Sequence, residues 1–311
     1  MNNSILPYQT SFYQGKVRDV YTIADKFIVM LASNRLSAFD VILPCRIPYK
    51  GQVLNQLAGY MLNKCRDIVP VWLLKMPCPS ASIGLKCEPF KIEVVVRGNL
   101  TGHAWREYSS GNRYLCGNKL PENMFENQFF QNPIITPTTK ASAGHDEDIS
   151  PEEIIKHGLA TEDEWQNISN YAIQLFKRGN EIAGARGLIL ADTKYEFGMY
   201  NGTIMLMDEI HTPDSSRYFF KEGFNEIITK GEKPEQLSKE FVREWLIQNN
   251  FMGKPGQIIP EFSENLIIEI SEKYISLYEK LTGEKFIKSE IDENEMFKIL
   301  SASITDTIET N

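Results

Sequence analysis

A single hairpin constrains this chain more than any other stretch. Leu188 to Thr193 and Thr203 to Met207 read as two strands, and Gly198 with Asn201-Gly202 marks the reversal between them. In the first strand Asp192, Lys194 and Glu196 stand at i, i+2 and i+4, so all three project from one face, each about 7 Å from the next. Two carboxylates flanking an ammonium, on a strand that opens with Leu188-Ile189-Leu190, are costly to bury unless something pairs with them. A divalent cation and a phosphate would do so, the cation taking carboxylate oxygens and the lysine a phosphate oxygen. A solvated face with a weak salt bridge is the plainer alternative. In the partner strand, apolar Ile204-Met205-Leu206-Met207 gives way abruptly to Asp208-Glu209, which suits a carboxylate held at the mouth of a cleft. Register decides whether Asp208 can join. A three-residue loop, Tyr200 to Gly202, sets it opposite Lys194 on the carboxylate face, whereas a two-residue Asn-Gly turn sets it opposite Tyr195 on the other. Turn statistics favour the second, the chemistry the first, and the three-residue loop is the expectation.

The chain is long enough for two lobes. Its 311 residues are about twice the commonest domain length. Hydrophobic residues make up 42% and charged residues 24%, which excludes a disordered, collagen-like or coiled-coil chain. With 33 basic and 41 acidic residues the formal charge is −8. That balance gives no long-range pull on nucleic acid or acidic lipid, so an anionic ligand must be held by a local cluster of Lys and Arg. No apolar run approaches the ~18 residues that cross a bilayer, and the start, Met1 to Pro7, lacks a leader pattern, so a cytosolic chain is expected. The five cysteines include no C-x-x-C pair and read as reduced, structural thiols rather than a zinc site.

Strands are expected at Val17 to Ile23, Phe27 to Leu31 and Ile92 to Val96, and an amphipathic helix through Leu54, Leu57, Ala58, Met61, Leu62 and Cys65. Met76 to Glu88, with Pro77, Pro79 and Gly84, reads as irregular connection. Ser150-Pro151-Glu152-Glu153 and Thr161 to Glu164 carry helix-start signatures, the second opening a helix of about five turns from Trp165 to Ala183. Further helices follow through Phe241 and Leu246 and through Leu266 to Leu281, and Ser289 to Asn311 reads as a short appended helix with a frayed end. The expected fold class is α+β, with a β-rich N-terminal lobe over residues 1–96, an α/β lobe over 97–288, and a tail over 289–311.

Three further stretches bear on binding. Gly15-Lys16-Val17-Arg18 puts two cations on one strand face beside a turn, a cover for nucleotide phosphates or an exposed basic strand. Arg97-Gly98 and Thr101-Gly102-His103 leave a buried strand, which suits a ribose phosphate or, more plainly, a hinge with a structural Arg. Thr136 to Lys140 and His145 to Asp148 read as a polar loop before a helix; Asp148 belongs to the helix start, and Asp146 could add a metal contact. The four histidines form no H-x-x-x-H pair, and neither G-x-S-x-G nor G-x-G-x-x-G occurs, so zinc-protease, hydrolase and Rossmann readings gain nothing. The residues alone therefore point to a magnesium-nucleotide site between a β-rich and an α/β lobe, with an additional anion pocket.

Several motifs in one order resemble a known family. They are Gly15-Lys16-Val17-Arg18-Asp19-Val20-Tyr21, Arg35-Leu36-Ser37-Ala38-Phe39-Asp40, Val95-Val96-Arg97-Gly98, Thr136-Pro137-Thr138-Thr139-Lys140-Ala141, His145-Asp146-Glu147, Asp192 to Gly198, Asp208-Glu209 and Thr212 to Arg217. Together, from about Tyr8 to Lys288, they resemble the SAICAR synthetase (phosphoribosylaminoimidazole-succinocarboxamide synthase) family, particularly its longer form. The resemblance implies a two-lobed fold related to ATP-grasp and kinase architectures, with the cleft between the lobes. It implies an ATP-dependent ligase of purine biosynthesis that joins L-aspartate to an aminoimidazole carboxylate ribonucleotide through an acyl phosphate, with Mg²⁺ as cofactor and no nucleic-acid or membrane partner. By this similarity the catalytic residues are Lys194, Asp192 and Lys16. ATP would meet Gly15, Lys16 and Arg18, with adenine on the backbone of the strand that holds Glu93 and Val95. Arg97, His103, Ser215 and Arg217 would grip the ribonucleotide, Arg35, Ser37 and Lys140 the aspartate, and Glu196, Asp208 and Asp146 the metal. His103 stands where the family usually has Ser or Gly, and Asn34 where it has Asp. A small-molecule kinase on the same frame and a non-catalytic nucleotide-binding regulator are the alternatives.

Overall fold

The computed structural model describes residues 5–140 and 146–310. Two compact units emerge: Met1–Tyr60 with Trp72–Lys86 and Lys239–Asn311, and Met61–Val71 with Cys87–Ser238. The expected division at 96/97 lies inside one continuous strand, and the C-terminal helices group with the N-terminal strands.

The first unit starts with β1 (Gln9–Gln14), β2 (Arg18–Ile23), β3 (Phe27–Ala32), β4 (Arg35–Ala38) and β5 (Val41–Arg46). Helix α1 (Lys50–Lys64), assigned to this unit as far as Tyr60, β6 (Leu73–Cys78) and β7 (Ala81–Leu85) follow. An antiparallel sheet of order β1-β2-β3-β7-β6 forms its base, with β4 and β5 pairing separately. The stretch from Met76 to Glu88, expected to be irregular, instead supplies all of β7 and the end of β6. Its prolines are tolerated because β6 is an edge strand whose register shifts on both sides of Lys75, so lost ladder donors cost little.

The second unit is built on β8 (Glu88–Asn99), α2 (Gly102–Ser109), β9 (Tyr114–Leu115), β10 (Asn118–Lys119), β11 (Phe129–Thr139), α3 (Pro151–Lys156) and α4 (Glu162–Gly184). It ends with β12 (Leu188–Tyr200), β13 (Thr203–Met207), β14 (Ser216–Phe220) and α5 (Phe224–Thr229). Thr136 to Thr139, expected in a loop, belongs to β11, where Thr136 pairs with Val95. Both anticipated capping boxes are present, at Ser150 with Glu153 and at Thr161 with Glu164. Helix α4 buries Trp165, Ile168, Ala172, Leu175, Phe176, Gly179 and Ala183, the apolar stripe the spacing requires, and packs across β12 and β8.

The hairpin resolves the register question against expectation. Tyr200 pairs with Thr203 and Glu196 with Met207, so the loop is the two-residue Asn201-Gly202. Both turn residues have positive φ, 49° and 76°, the type I′ geometry that Asn-Gly adopts readily and that matches strand twist. Local turn chemistry fixed the register.

The chain closes with α6 (Glu240–Gln248), α7 (Glu264–Thr282) and α8 (Glu293–Thr310) in the first unit. The expected short helix is longer than anticipated and extends over the stretch expected to fray, from Glu293 to Thr310: α8 inserts Leu300 and Ile304 into the core formed by Tyr21, Ile23, Val29 and Ile83. Tyr21 and Phe297 meet edge to face at 6.3 Å, and Lys75 of β6 pairs with Asp306 at 2.7 Å. Because Leu300 is wholly buried, Leu300→Ala is expected to cost about 2–5 kcal/mol by chemical denaturation. An unchanged unfolding midpoint would mean that α8 is not part of the cooperative fold.

Candidate functional site

The site-bearing strand is β12. Along one edge it pairs with β8 from Asp192 to Met199; along the other it pairs first with β14, from Leu188 to Thr193, and then with β13, from Glu196 to Tyr200. Lys194 sits where one partner gives way to the other, and its N–H donates to the Ser215 carbonyl at 3.0 Å, tying in the segment that runs from β13 to β14. Asp208 opens that segment with φ 54°, a left-handed backbone that takes it out of the strand. Strand alternation therefore does not set its direction, and the two-residue turn does not turn it away from Lys194. The segment is braced internally by Thr212, whose hydroxyl donates to buried Glu209 at 2.7 Å and whose carbonyl accepts from the Ser215 N–H at 3.2 Å.

Around Lys194 the charges converge. Its Nζ donates to Glu93 Oε1 and Glu196 Oε1, both at 2.7 Å, while Lys140 holds the second oxygen of Glu196. Burial opposes protonation of Lys194, but the carboxylates of Glu196, Glu93 and Asp208 outweigh it and raise its pKa well above the ordinary value. Burial also pushes Glu196 up, and Lys194 and Lys140 more than reverse this, bringing it to about 2. Both groups are thus held ionised. Three carboxylates against two ammonium groups leave a local negative excess.

Two residues earlier on the same strand one carboxylate meets two guanidinium groups. Asp192 Oδ2 accepts from Arg97 at 3.0 Å and from Arg217 at 2.5 Å, and Arg97 Nε donates to Thr136 Oγ1 at 2.8 Å. All three charged side chains are buried. Burial lowers the Arg97 pKa, Arg217 adds to the effect and Asp192 opposes it. Two guanidinium groups sharing one carboxylate are suited to receive an anion. Gly102, with φ 58°, makes room for them: a Cβ there would lie 2.6 Å from Arg217 Nη2. Next to it His103 Nε2 hydrogen-bonds Asp148 Oδ2 at 2.8 Å, so Asp148 does not cap the following helix, whose N-cap is Ser150. Burial raises the Asp148 pKa, but that hydrogen bond together with the charges of His103 and Arg97 lowers it overall.

In the first unit, Lys16 pairs with Asp40 beside the Gly15-to-Asp19 turn. Arg35, expected to bind aspartate, is committed to that turn: it clamps Asp19 at 2.7 and 3.2 Å and donates to the carbonyls of Gly15 and Lys16 at 3.0 and 3.2 Å. Four of its five donors are taken, so it staples the turn. Ser37 is buried on β4. The expected adenine contact also changes. Strand β8 is interior, with Glu93 and Val95 paired to both β11 and β12, so their backbone offers no open edge; Glu93 contributes its carboxylate instead. The signal was present in the sequence, since Glu93 is the one charged residue between Ile92 and Val96. Asp146 is exposed, whereas Ala141 to Gly144 and His145 lie outside the described residues.

The description SAICAR synthetase belongs to the family model that matches residues 11–257. The chain belongs to the SAICAR synthetase family. A phosphoribosylaminoimidazole-succinocarboxamide synthase of Bacteroides thetaiotaomicron is 58% identical over 285 residues, 91% of each chain. One from Azobacteroides pseudotrichonymphae is 54% identical over 308 residues, 99% of this chain and 94% of its own. Among solved structures, a SAICAR synthase from Saccharomyces cerevisiae complexed with SAICAR superposes with a TM-score of 0.77 at 32% identity, covering 92% of this chain and 98% of that one. No helix among the described residues is long and apolar enough to cross a membrane.

In this SAICAR synthetase the depressed Glu196 pKa sets an acid sensitivity. A carboxyl held at about 2 when folded, against 4.5 ordinarily, gives stability that is complete above 4.5 and lost as pH falls toward 2. Glu196→Gln is expected to flatten the pH dependence of urea stability across that window, and an unchanged profile would mean the carboxylate is not held by its lysines.

Proposed function

We propose that the two charge clusters on β12 are the working parts of this family member's ATP-dependent ligation. SAICAR synthetases act on small molecules in purine biosynthesis, and the comparisons favour neither a kinase nor a regulator. The observation that carries the residue assignment is the pair of clusters two residues apart on one strand, two guanidinium groups on the Asp192 carboxylate and the Lys194 ammonium between two carboxylates. In the reaction implied by the family, the ribonucleotide carboxylate attacks the γ-phosphate of ATP, and the amine of L-aspartate then displaces phosphate from the acyl phosphate. The positive cluster, Arg97 and Arg217 with Ser215 and His103, would hold the ribonucleotide phosphate. Lys194, kept as an ammonium, would meet the reacting carboxylate or phosphoryl oxygen and lower the charge repulsion between them. Asp192 orients the two arginines. Gly15, Lys16 and Arg18 would contact the ATP phosphates, and Lys140 the aspartate. Five free cysteines suit a reducing compartment, the cytosol.

The negative cluster fits a hard divalent cation such as Mg²⁺. Glu196 and Asp208 are oxygen donors whose charges act on the same ammonium. Among the described residues no three His, Cys, Asp or Glu side chains form a ready metal cage, but Mg²⁺ is commonly held by one or two carboxylates together with substrate phosphates. Glu196 and Asp208 would hold it, with Asp146 as a further contact. When bound, it would neutralise triphosphate charge.

ADP release, measured with ATP, Mg²⁺, ribonucleotide and aspartate each omitted in turn, tests the reading. Turnover should require all four; ADP formed indifferently to aspartate would indicate a kinase. Asp208→Asn should lower kcat by at least ~10²-fold and raise the Mg²⁺ requirement, whereas near-normal turnover would take Asp208 out of the metal site. Arg217→Ala should chiefly raise KM for the ribonucleotide, because a phosphate clamp distant from the reacting atoms serves ground and transition states alike.

A further inference from the structure

Beneath the charged face of β12 lies a buried node that the proposed chemistry does not use. Tyr195 stands between Lys194 and Glu196 with its side chain on the opposite face, and its hydroxyl meets His211 Nε2 at 2.7 Å. The His211 carbonyl accepts from the Tyr218 hydroxyl at 2.9 Å, and Tyr218 follows Arg217 directly. All three side chains are fully buried. The His211 backbone is left-handed, φ 58°, a conformation that costs free energy and persists only where surrounding structure enforces it. Helix α4 closes on the ring: a Cβ on Gly179 would lie 2.7 Å from His211 Cε1. His211 Nδ1 has no hydrogen-bond partner among the described residues, so the imidazole is retained despite an unsatisfied buried nitrogen. Burial drives its pKa down to about 3, keeping it neutral.

The node adjoins three parts of the site along the chain. Tyr195 fixes β12 between Lys194 and Glu196, His211 lies three residues past Asp208, and Tyr218 fixes β14 next to Arg217. We infer that His211 is a positioning residue, whose hydrogen bond to Tyr195 sets the segment carrying Asp208 and Ser215, which leads into Arg217 on β14, against Lys194. A leucine could fill the space and support the fold. A polar group reaching Tyr195 adds a side-chain bond between segment and strand to the backbone bond from Lys194 to Ser215.

The inference rests on the site reading above, and the test separates the two. His211→Leu and Tyr195→Phe are each expected to lower kcat about tenfold and to weaken Mg²⁺-ADP binding measured by calorimetry, at temperatures where circular dichroism shows the folded state. The double variant should be no worse than the poorer single one, because both remove the same bond. His211→Gln, whose amide nitrogen occupies roughly the Nε2 position, should recover most of the loss. Should the singles lower only the melting temperature, with kcat and nucleotide affinity within about twofold of the parent, the inference is overturned. If His211→Leu does not fold, Tyr195→Phe decides, since it removes one oxygen from an otherwise unchanged core. Asp208→Asn in parallel isolates the metal assignment: an unaltered Mg²⁺ requirement would remove that assignment while leaving the positioning result standing.

Discussion

Everything at the site depends on a change of partner along one edge of β12. A strand paired to a single neighbour would spend every backbone group on its ladder and admit no intervening loop. Here β14 gives way to β13 at Lys194, and the segment between them meets the strand backbone through the hydrogen bond from Lys194 N–H to Ser215 O. The break delivers side chains from a loop to the middle of a rigid sheet. Lys194 keeps the precision of a strand, while Asp208 and Ser215 gain directions that strand alternation would deny them.

The same strand separates charge. Asp192 gathers two arginines; Lys194 and Lys140 stand among Glu93, Glu196 and Asp208. Were either cluster neutral, its burial would be a cost with little return, since a buried ion pair seldom stabilises more than an apolar replacement. Imbalance has a use: a phosphate can complete the first cluster and a cation the second. Carboxylates around Lys194 also stop it from losing charge to burial, so its ammonium is in place before any ligand arrives.

Sequence made some of this legible and hid the rest for identifiable reasons. The alignment of Asp192, Lys194 and Glu196 was readable because strand alternation is rigid, and the caps at Ser150 and Thr161 because their chemistry is local. The hairpin register was misjudged by letting presumed chemistry outrank Asn201-Gly202, and the premise behind it, that Asp208 continues the strand, was also untrue. Prolines hid β6, since a proline reads as a breaker unless the strand is known to be an edge. The interior position of β8 was invisible because a run such as Ile92 to Val96 says that a strand is buried, not which partners flank it. Arg35 resembled a ligand contact for a similar reason: nothing local shows that Asp19 and two carbonyls will claim its donors.

The left-handed residues at Asp208 and His211 show what aiming the segment requires. Neither is glycine, so each is strained, and that strain must be met by packing and hydrogen bonding nearby. A charged anchor could supply the bonds, but an imidazolium or ammonium buried beneath Lys194 would shift the negative excess on which that cluster depends. An apolar anchor would leave the charges alone and lose the bond to Tyr195. A neutral imidazole meets both demands, and Gly179 gives it the space. The choice of residue under the sheet thus follows from the charges above it.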